Sequence, residues 1–161
     1  MNDITVIVKD LMALSIKKKI TVSTAESCTG GLISKYLTDL PGSSNFFNSS
    51  IIAYSNKAKI DLLKVNPETI KSKGAVSEDT VKEMALGLLK LTDSSIVIAV
   101  SGVMGIDKKN KNEENEKVWI CWLNQEKSKT FYTELGEDRG KNRLETTKIA
   151  LLGLYDFIKE I

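Results

Sequence analysis

The sequence predicts an α/β fold, a three-layer α/β/α sandwich around a mixed, mostly parallel sheet of about five strands. Strand-like and helix-like segments alternate through the first part of the chain. Residues 94–100 are almost continuously apolar and β-branched, as in a central strand buried on both faces. Residues 118–123 and 128–133 are two strand-like segments around a polar turn, which predicts an antiparallel pair.

The composition is typical of a globular protein with one core, and we expect residues 1–161 to form a single domain. Of the 161 residues, 42% are hydrophobic and 27% are charged, and the net charge is +2. This nearly balanced charge gives little reason to expect nucleic-acid binding. No apolar run approaches the roughly 20 residues that span a bilayer, so we expect no membrane association and a cytoplasmic location.

The sequence also predicts that neither a metal nor a cofactor is bound. It contains no histidine, which excludes the usual mixed zinc sites. The two cysteines, Cys28 and Cys121, are far apart and lack the spacing of metal ligands. Any chemistry must therefore come from other side chains.

The N-terminal part of the chain predicts a helix, a strand and a second helix. Apolar residues recur at spacings of three and four over residues 4–19, which indicates an amphipathic helix with a lysine-rich last turn. Residues 20–25 alternate β-branched and small side chains, as in a buried strand. After a glycine pair, residues 32–40 predict a helix that ends at Pro41.

The middle of the chain predicts a second strand followed by three helices. Residues 51–54 suit the strand, and either Ser55 or Asn56 is in position to cap the first of these helices. Asn66 precedes a proline, and Ser77 precedes two acidic residues, so each predicts a further helix start.

Several residues that are distant in the sequence are expected to meet at one edge of the sheet. Ligands of α/β sheets bind at the carboxyl ends of the strands. The residues that fall at these ends are Ser27, Tyr54, Asn56, Ser101 and Gly102. We therefore expect them to converge on one small-molecule cleft.

The most informative segment reads Thr-Ala-Glu-Ser-Cys-Thr-Gly-Gly over residues 24–31. Ser27 lies where the first N–H groups of a helix favour an oxyanion or a phosphate, which suits acyl transfer. Alternatively, Ser27 or Thr29 caps the helix, and the glycine pair permits close packing. Cys28 fits a small buried residue better than a nucleophile, because no imidazole is available to form a thiolate pair.

A serine nucleophile in this chain needs a base other than histidine. A neutral lysine can serve when burial or neighbouring positive charge lowers its pKa. Lys59 is the best candidate by position, because in a helix capped by Asn56 it lies in the first turn, where the dipole disfavours the ammonium form. The alternative is a solvated surface lysine, of which the chain has many.

The last helix carries two arginines near its start. Apolar residues at helical spacing indicate a long amphipathic helix through residues 144–158. Arg139 and Arg143 are four residues apart, so they share one face and are able to hold a phosphate together. Ordinary salt bridges with nearby acidic residues are the alternative. Trp119 and Trp122 fall on opposite faces of their strand, which disfavours a base-stacking platform.

Six segments, in order and over nearly the whole chain, resemble the C-terminal domain family of the competence/damage-inducible protein CinA. They are TAESCTGG at 24–31, LTDLPGSS at 37–44, YSNKAK at 54–59, GAVSE at 74–78, AVSG at 99–102 and EDR at 137–139, followed by Arg143. This family includes stand-alone nicotinamide mononucleotide deamidases of the PncC type.

The resemblance implies an amidohydrolase that converts nicotinamide mononucleotide to nicotinate mononucleotide and ammonia. Ser27 would be the nucleophile and Lys59 its base, with the oxyanion held by N–H groups near Thr29, Gly30 and Gly31. The other roles that the resemblance implies are a nicotinamide pocket at Tyr54 and Asn56 and a phosphate site at Thr29, Arg139 and Arg143. It also implies a homodimer.

The segment after Gly102 departs from the family pattern. The family has SGIAGPxGG and then KPVGTVW, whereas residues 101–119 read SGVMGIDKKNKNEENEKVW. Bulky charged residues replace glycines that let backbone approach a ligand, and residues 105–117 predict a mobile loop. This departure motivates a second hypothesis, a catalytically weak or silent nucleotide-binding or interaction module of the same family.

Overall fold

The computed structural model describes residues 3–105, 116–136 and 138–161, and within them a mixed five-stranded sheet forms the centre of the fold. The strands are β1 (Val22–Glu26), β2 (Phe47–Ile52), β3 (Ile96–Gly102), β4 (Lys117–Leu123) and β5 (Ser128–Glu134). Their order is β2-β1-β3-β4-β5. β1 pairs in parallel with β2 and β3, and β4 pairs antiparallel with β3 and β5, so only β4 among these strands runs in the opposite direction.

Helices cover both faces of the sheet, as the α/β/α prediction requires. They are α1 (Asp3–Lys18), α2 (Leu32–Thr38), α3 (Asn56–Leu63), α4 (Pro67–Lys73), α5 (Glu78–Leu91) and α6 (Arg139–Lys159). α1, α2 and α6 pack together on one face, while α5 covers the other face with α3 and α4 beside it. Each face has its own buried apolar cluster. The predicted fold class is therefore confirmed.

The boundaries of β2 differ from the prediction. We expected this strand at residues 51–54, but it begins at Phe47 and ends at Ile52. Its polar residues form hydroxyl pairs with β1, between Ser23 and Ser49 at 2.9 Å and between Thr24 and Ser50 at 2.8 Å. Because β2 is a half-exposed edge strand, its sequence lacks the apolar run that identifies a buried strand.

The two tryptophans of β4 lie on opposite faces, as their spacing predicts. Trp122 is buried against α6, where its Nε1 donates to the carbonyl of Ala150 at 2.9 Å. Trp119 packs with the ring of Tyr132 on the other face, with centroids 5.1 Å apart. These rings contribute to the two cores and form no common stacking surface.

Gly153 lets α6 approach the Trp122 ring closely, and Gly153→Ala should destabilise the fold. An added Cβ would lie 2.1 Å from the ring, so we expect a loss of about 1–3 kcal/mol in the free energy of unfolding. Gly140→Ala in the same helix is the control, because its nearest atom would be 3.4 Å away. Urea unfolding measures both, and equal stability of the two variants would contradict the packing argument.

Among the described residues, no helix combines the length and apolarity needed to cross a membrane. The predicted loop at 105–117 falls mostly on residues 106–115, which lie outside the described residues.

Candidate active site

A small cleft lies at the carboxyl ends of β1 and β3 and has a volume of about 170 Å³. It brings together seven of the predicted site residues, namely Ser27, Tyr54, Asn56, Lys59, Ser101, Gly102 and Arg139. Ala75, Val76 and Met104 also line it, and the sequence argument had assigned them no role. Parallel pairing of β1 with β2 and β3 accounts for this convergence, since it places the ends of all three strands at one edge.

Ser27 and Lys59 are in direct contact in this cleft. The Lys59 Nζ lies 2.9 Å from the Ser27 Oγ, within hydrogen-bond reach for proton transfer. Ser55, rather than Asn56, caps α3, by accepting a hydrogen bond from the N–H of Ala58. The N–H of Lys59 then closes the first helical turn onto the Ser55 carbonyl, at 3.1 Å. This first turn of α3 directs the Lys59 side chain toward the end of β1.

The surroundings of Lys59 make its ammonium group easier to deprotonate than that of an exposed lysine. The side chain is only 2% exposed, and this burial lowers its pKa, while the nearby Cys28 opposes the shift. Nζ also lies 3.2 Å from the Ala53 carbonyl and 3.1 Å from the Tyr54 carbonyl. A neutral amine that donates its two N–H groups to these carbonyls keeps its lone pair for the Ser27 hydroxyl.

Several polar groups of the turn after Ser27 form hydrogen bonds within the protein. The N–H of Gly30 donates to the Ser27 carbonyl at 3.0 Å, and the N–H of Gly31 donates to the carboxylate of Glu26 at 3.0 Å. The Thr29 hydroxyl, expected near the phosphate, is fully buried and donates to Glu26 at 2.6 Å. These groups therefore satisfy each other inside the turn, as buried polar groups must, and their predicted roles toward a ligand stay predictions.

Glu26 was assigned no role from the sequence. It is fully buried at the end of β1, and its carboxylate accepts hydrogen bonds from donors on both sides of the turn. The available signal was an acidic residue shortly before a helix start, which is typical of helix N-termini.

Cys28 is a packing residue. It is 4% exposed, and burial raises the pKa of its thiol to about 12. Hydrogen bonds from backbone N–H groups, including that of Thr29, lower this pKa but do not offset the effect of burial. The sulfur lies against Gly102, where an added Cβ would come 3.1 Å from it. A protonated thiol is a poor nucleophile, which agrees with the preference for the Ser27 hydroxyl.

The two arginines of α6 take different places. The Arg139 guanidinium donates to the Tyr54 hydroxyl at 2.8 Å and to the Met104 carbonyl, at the mouth of the cleft. Arg143 donates to the Thr29 carbonyl at 2.7 Å, so it supports the turn from behind and does not line the cleft. The two arginines lie on one face of α6, as their spacing predicts, but their side chains contact two different loops.

The remaining polar residues shape the cleft wall. The Ser101 hydroxyl donates to the Ala75 carbonyl at 2.7 Å, which ties the end of β3 to the segment before α5. The Tyr54 side chain is 58% exposed at the opening. The described residues contain no cluster of three or more acidic or cysteine side chains suited to a metal ion.

A larger cleft of about 760 Å³ lies between the start of α1 and the first turns of α6. Its lining includes Asp3, Asp138, Lys141, Glu145 and Lys148. These are surface charges, and the Ser27–Lys59 pair lies elsewhere. We therefore place the candidate active site in the smaller cleft, which combines a nucleophile, a base and positive charge.

Comparison with known proteins identifies the family. The model of the CinA C-terminal domain matches residues 4–158. The chain belongs to the CinA C-terminal domain family.

Relatives of this CinA domain are similar over almost its full length. It is 39% identical over 150 residues to a CinA-like protein of Petrotoga mobilis, covering 93% of the chain and 37% of that protein. It is 38% identical over 159 residues to a putative competence-damage inducible protein of Halothermothrix orenii, covering 98% of the chain and 38% of that protein. The chain thus spans a little over a third of the length of these curated relatives.

Solved structures of CinA proteins share the fold. A CinA superfamily protein from Klebsiella pneumoniae superimposes with a TM-score of 0.93 at 26% identity, covering 99% of this chain and all of that one. The competence/damage inducible protein CihA from Agrobacterium tumefaciens gives 0.90 at 32% identity, covering 96% and 94% of the two chains.

Proposed function

We propose that this CinA domain is an amidohydrolase that hydrolyses the carboxamide of nicotinamide mononucleotide to nicotinate mononucleotide and ammonia. The observation that carries the proposal is the 2.9 Å contact between the Ser27 Oγ and the Lys59 Nζ in a cleft at the strand ends. In a chain without histidine, a buried lysine beside a serine supplies the nucleophile and base that amide hydrolysis requires.

The first half of the reaction forms an acyl-enzyme. Lys59 takes the Ser27 proton while Oγ attacks the carboxamide carbon, and the carbonyl oxygen becomes an oxyanion. The N–H groups of Gly30 and Gly31 already donate within the turn, so the oxyanion needs other donors at the cleft. Lys59 then returns the proton to the amide nitrogen, and ammonia leaves as the C–N bond breaks.

Water completes the cycle. It attacks the ester carbonyl and gives a proton to Lys59, and the ester bond breaks as the proton returns to Ser27. The Lys59 amine thus alternates between a base and an acid. Its three neighbouring oxygen atoms, those of Ser27, Ala53 and Tyr54, also provide acceptors for the ammonium form.

The dimensions of the cleft favour a substrate whose amide end is small. Its volume of about 170 Å³ is below the roughly 300 Å³ at which pockets begin to enclose drug-sized ligands. A carboxamide-bearing ring would fill it, and a ribose phosphate would then lie at the opening. Arg139 is located there and offers a guanidinium to the phosphate.

Ammonia release from nicotinamide mononucleotide by the purified protein tests the proposal directly. Production of ammonia and nicotinate mononucleotide in equal amounts supports it. A folded protein that is stabilised thermally by the nucleotide but does not hydrolyse it would instead support the silent binding module. That alternative depends on the divergent segment, of which residues 106–115 lie outside the described residues. The homodimer and the cytoplasmic location remain predictions.

Arg139→Ala should weaken binding of the phosphorylated substrate more than it slows the chemical step. Loss of a charged hydrogen-bond donor costs about 1.5–3 kcal/mol, so we expect KM for nicotinamide mononucleotide to rise about 10- to 100-fold. KM for nicotinamide riboside, which lacks the phosphate, should change little. The exposed neighbour Lys141→Ala is the control, and an equal effect of Arg139→Ala on both substrates would exclude phosphate recognition by this residue.

A further inference from the structure

Glu26 is a buried carboxylate that is held by hydrogen-bond donors alone. It accepts five hydrogen bonds at 2.6–3.2 Å, from the hydroxyls of Thr24 and Thr29 and from the N–H groups of Gly31, Ile33 and Ser34. Among the described residues, no lysine or arginine forms a salt bridge with it. Burying a carboxylate without a cation is costly, so this complete shell of donors indicates a specific role.

These five donors enclose the nucleophile turn. Thr24 lies in β1, before Ser27, whereas Thr29 and Gly31 lie in the turn after Ser27. Ser34 lies in the first helical turn of α2. Glu26 itself is the residue next to Ser27. The Glu26 carboxylate therefore connects the chain segments before and after Ser27 through hydrogen bonds to one side chain.

The conformation of the turn depends on this anchor. Gly30 and Gly31 have φ values of +59° and +94°, in the left-handed region that glycine adopts readily. Gly31 occupies the cap position of α2 but makes no side-chain cap bond, so Glu26 supplies the acceptor that the first helical N–H groups need. Without it, two flexible glycines would connect Ser27 to the helix.

We propose that Glu26 is a positioning residue, which locks the turn at 27–31 so that the Ser27 hydroxyl points at Lys59. It does not touch the substrate, because its carboxylate is fully buried and occupied by the turn. This role rests on Ser27 being the nucleophile of the proposed function. It extends that function by naming what holds the nucleophile in place.

The test measures the reactivity of Ser27 separately from amide hydrolysis. Phenylmethanesulfonyl fluoride sulfonylates activated serines: the Oγ–S bond forms, the S–F bond breaks as fluoride leaves, and the serine proton passes through the base to water. The rate of mass gain is followed on the full chain, with Ser27→Ala as the unlabelled reference. Glu26→Gln keeps the size of the side chain but presents an NH₂ group to the donors, and we expect labelling at least about tenfold slower.

A stability control separates positioning from simple destabilisation. Asn66→Ala removes the cap of α4, away from the cleft, and should lower the melting temperature without slowing the labelling. If Glu26→Gln does not fold, Thr29→Val removes one donor to Glu26 and should still slow labelling severalfold. Labelling of folded Glu26→Gln or of Thr29→Val at the wild-type rate, or no labelling of wild-type Ser27, would overturn the proposal.

Turnover of nicotinamide mononucleotide is measured on the same samples. A wild-type protein that is labelled at Ser27 but releases no ammonia would refute the proposed substrate while the role of Glu26 stands. Slower labelling of Glu26→Gln, together with a lower kcat and an unchanged KM, supports both proposals.

Discussion

Replacing Ser27 with alanine is expected to abolish ammonia release, with kcat lower by at least about 10³-fold. The substitution removes the Oγ that would attack the amide carbon, and the described residues that line the cleft include no second activated nucleophile. The adjacent Cys28 does not substitute for it, because burial holds the pKa of this thiol at about 12. Steady-state kinetics on nicotinamide mononucleotide measure the effect.

The Ser27→Ala protein should remain folded and still bind its substrate. Ser27 is small, and without it the Lys59 amine keeps the carbonyls of Ala53 and Tyr54 as acceptors. Ser72→Ala is the matched control, since its exposed hydroxyl donates only to the Glu68 carbonyl of α4. Near-normal turnover by Ser27→Ala, or equal losses in the two variants, would eliminate the serine as nucleophile.

Replacing Lys59 with methionine is expected to lower kcat by about 10²- to 10⁴-fold, the usual contribution of a positioned general base. The fold should persist, because methionine fills a similar volume and removes the free-energy cost of burying an amine. This gain offsets the loss of the donor to the two carbonyls that Lys59 contacts. Kinetics and a thermal melt on the same sample separate the two effects.

Two further variants sharpen this test. Lys57→Met changes an exposed lysine of the same helix, which pairs with Asp61, and should leave turnover almost unaffected. Lys59→Arg keeps a positive charge but cannot supply a neutral base, so it should be as inactive as the methionine variant. Activity in Lys59→Arg would show that the position provides charge rather than proton transfer.

The pH dependence follows from the lowered pKa of Lys59. Its base form increases as the pH rises, so kcat/KM should increase with pH and level off above an apparent pKa below the ordinary lysine value of 10.5. Between the folded pKa and 10.5 the unfolded chain binds more protons than the folded one, so the free energy of unfolding should also rise with pH in this window. Comparing wild type with Lys59→Met by urea unfolding tests the second effect, which the variant should lack.

Local patterns in the sequence were enough to predict the fold class, because burial and capping leave strong signals. The apolar run of β3, the caps at Asn66 and Ser77 and the odd spacing of the β4 tryptophans all correspond to what the structure shows. The start of β2 was missed because edge strands form polar pairs, and polar pairs resemble loops in sequence.

Within the candidate site, the sequence by itself determined which residues are present: a serine at a strand-to-helix turn, a lysine near a helix start and no histidine. Only the tertiary structure decided which of these residues contact each other and which polar groups already form hydrogen bonds within the protein. Parallel strands bring Ser27 and Lys59 to 2.9 Å, whereas Glu26 takes up the donors of Thr29 and Gly31. The physical reason is that hydrogen bonds between residues distant in sequence depend on how the elements pack. The spacing of residues along the chain does not specify which buried donor will pair with which acceptor.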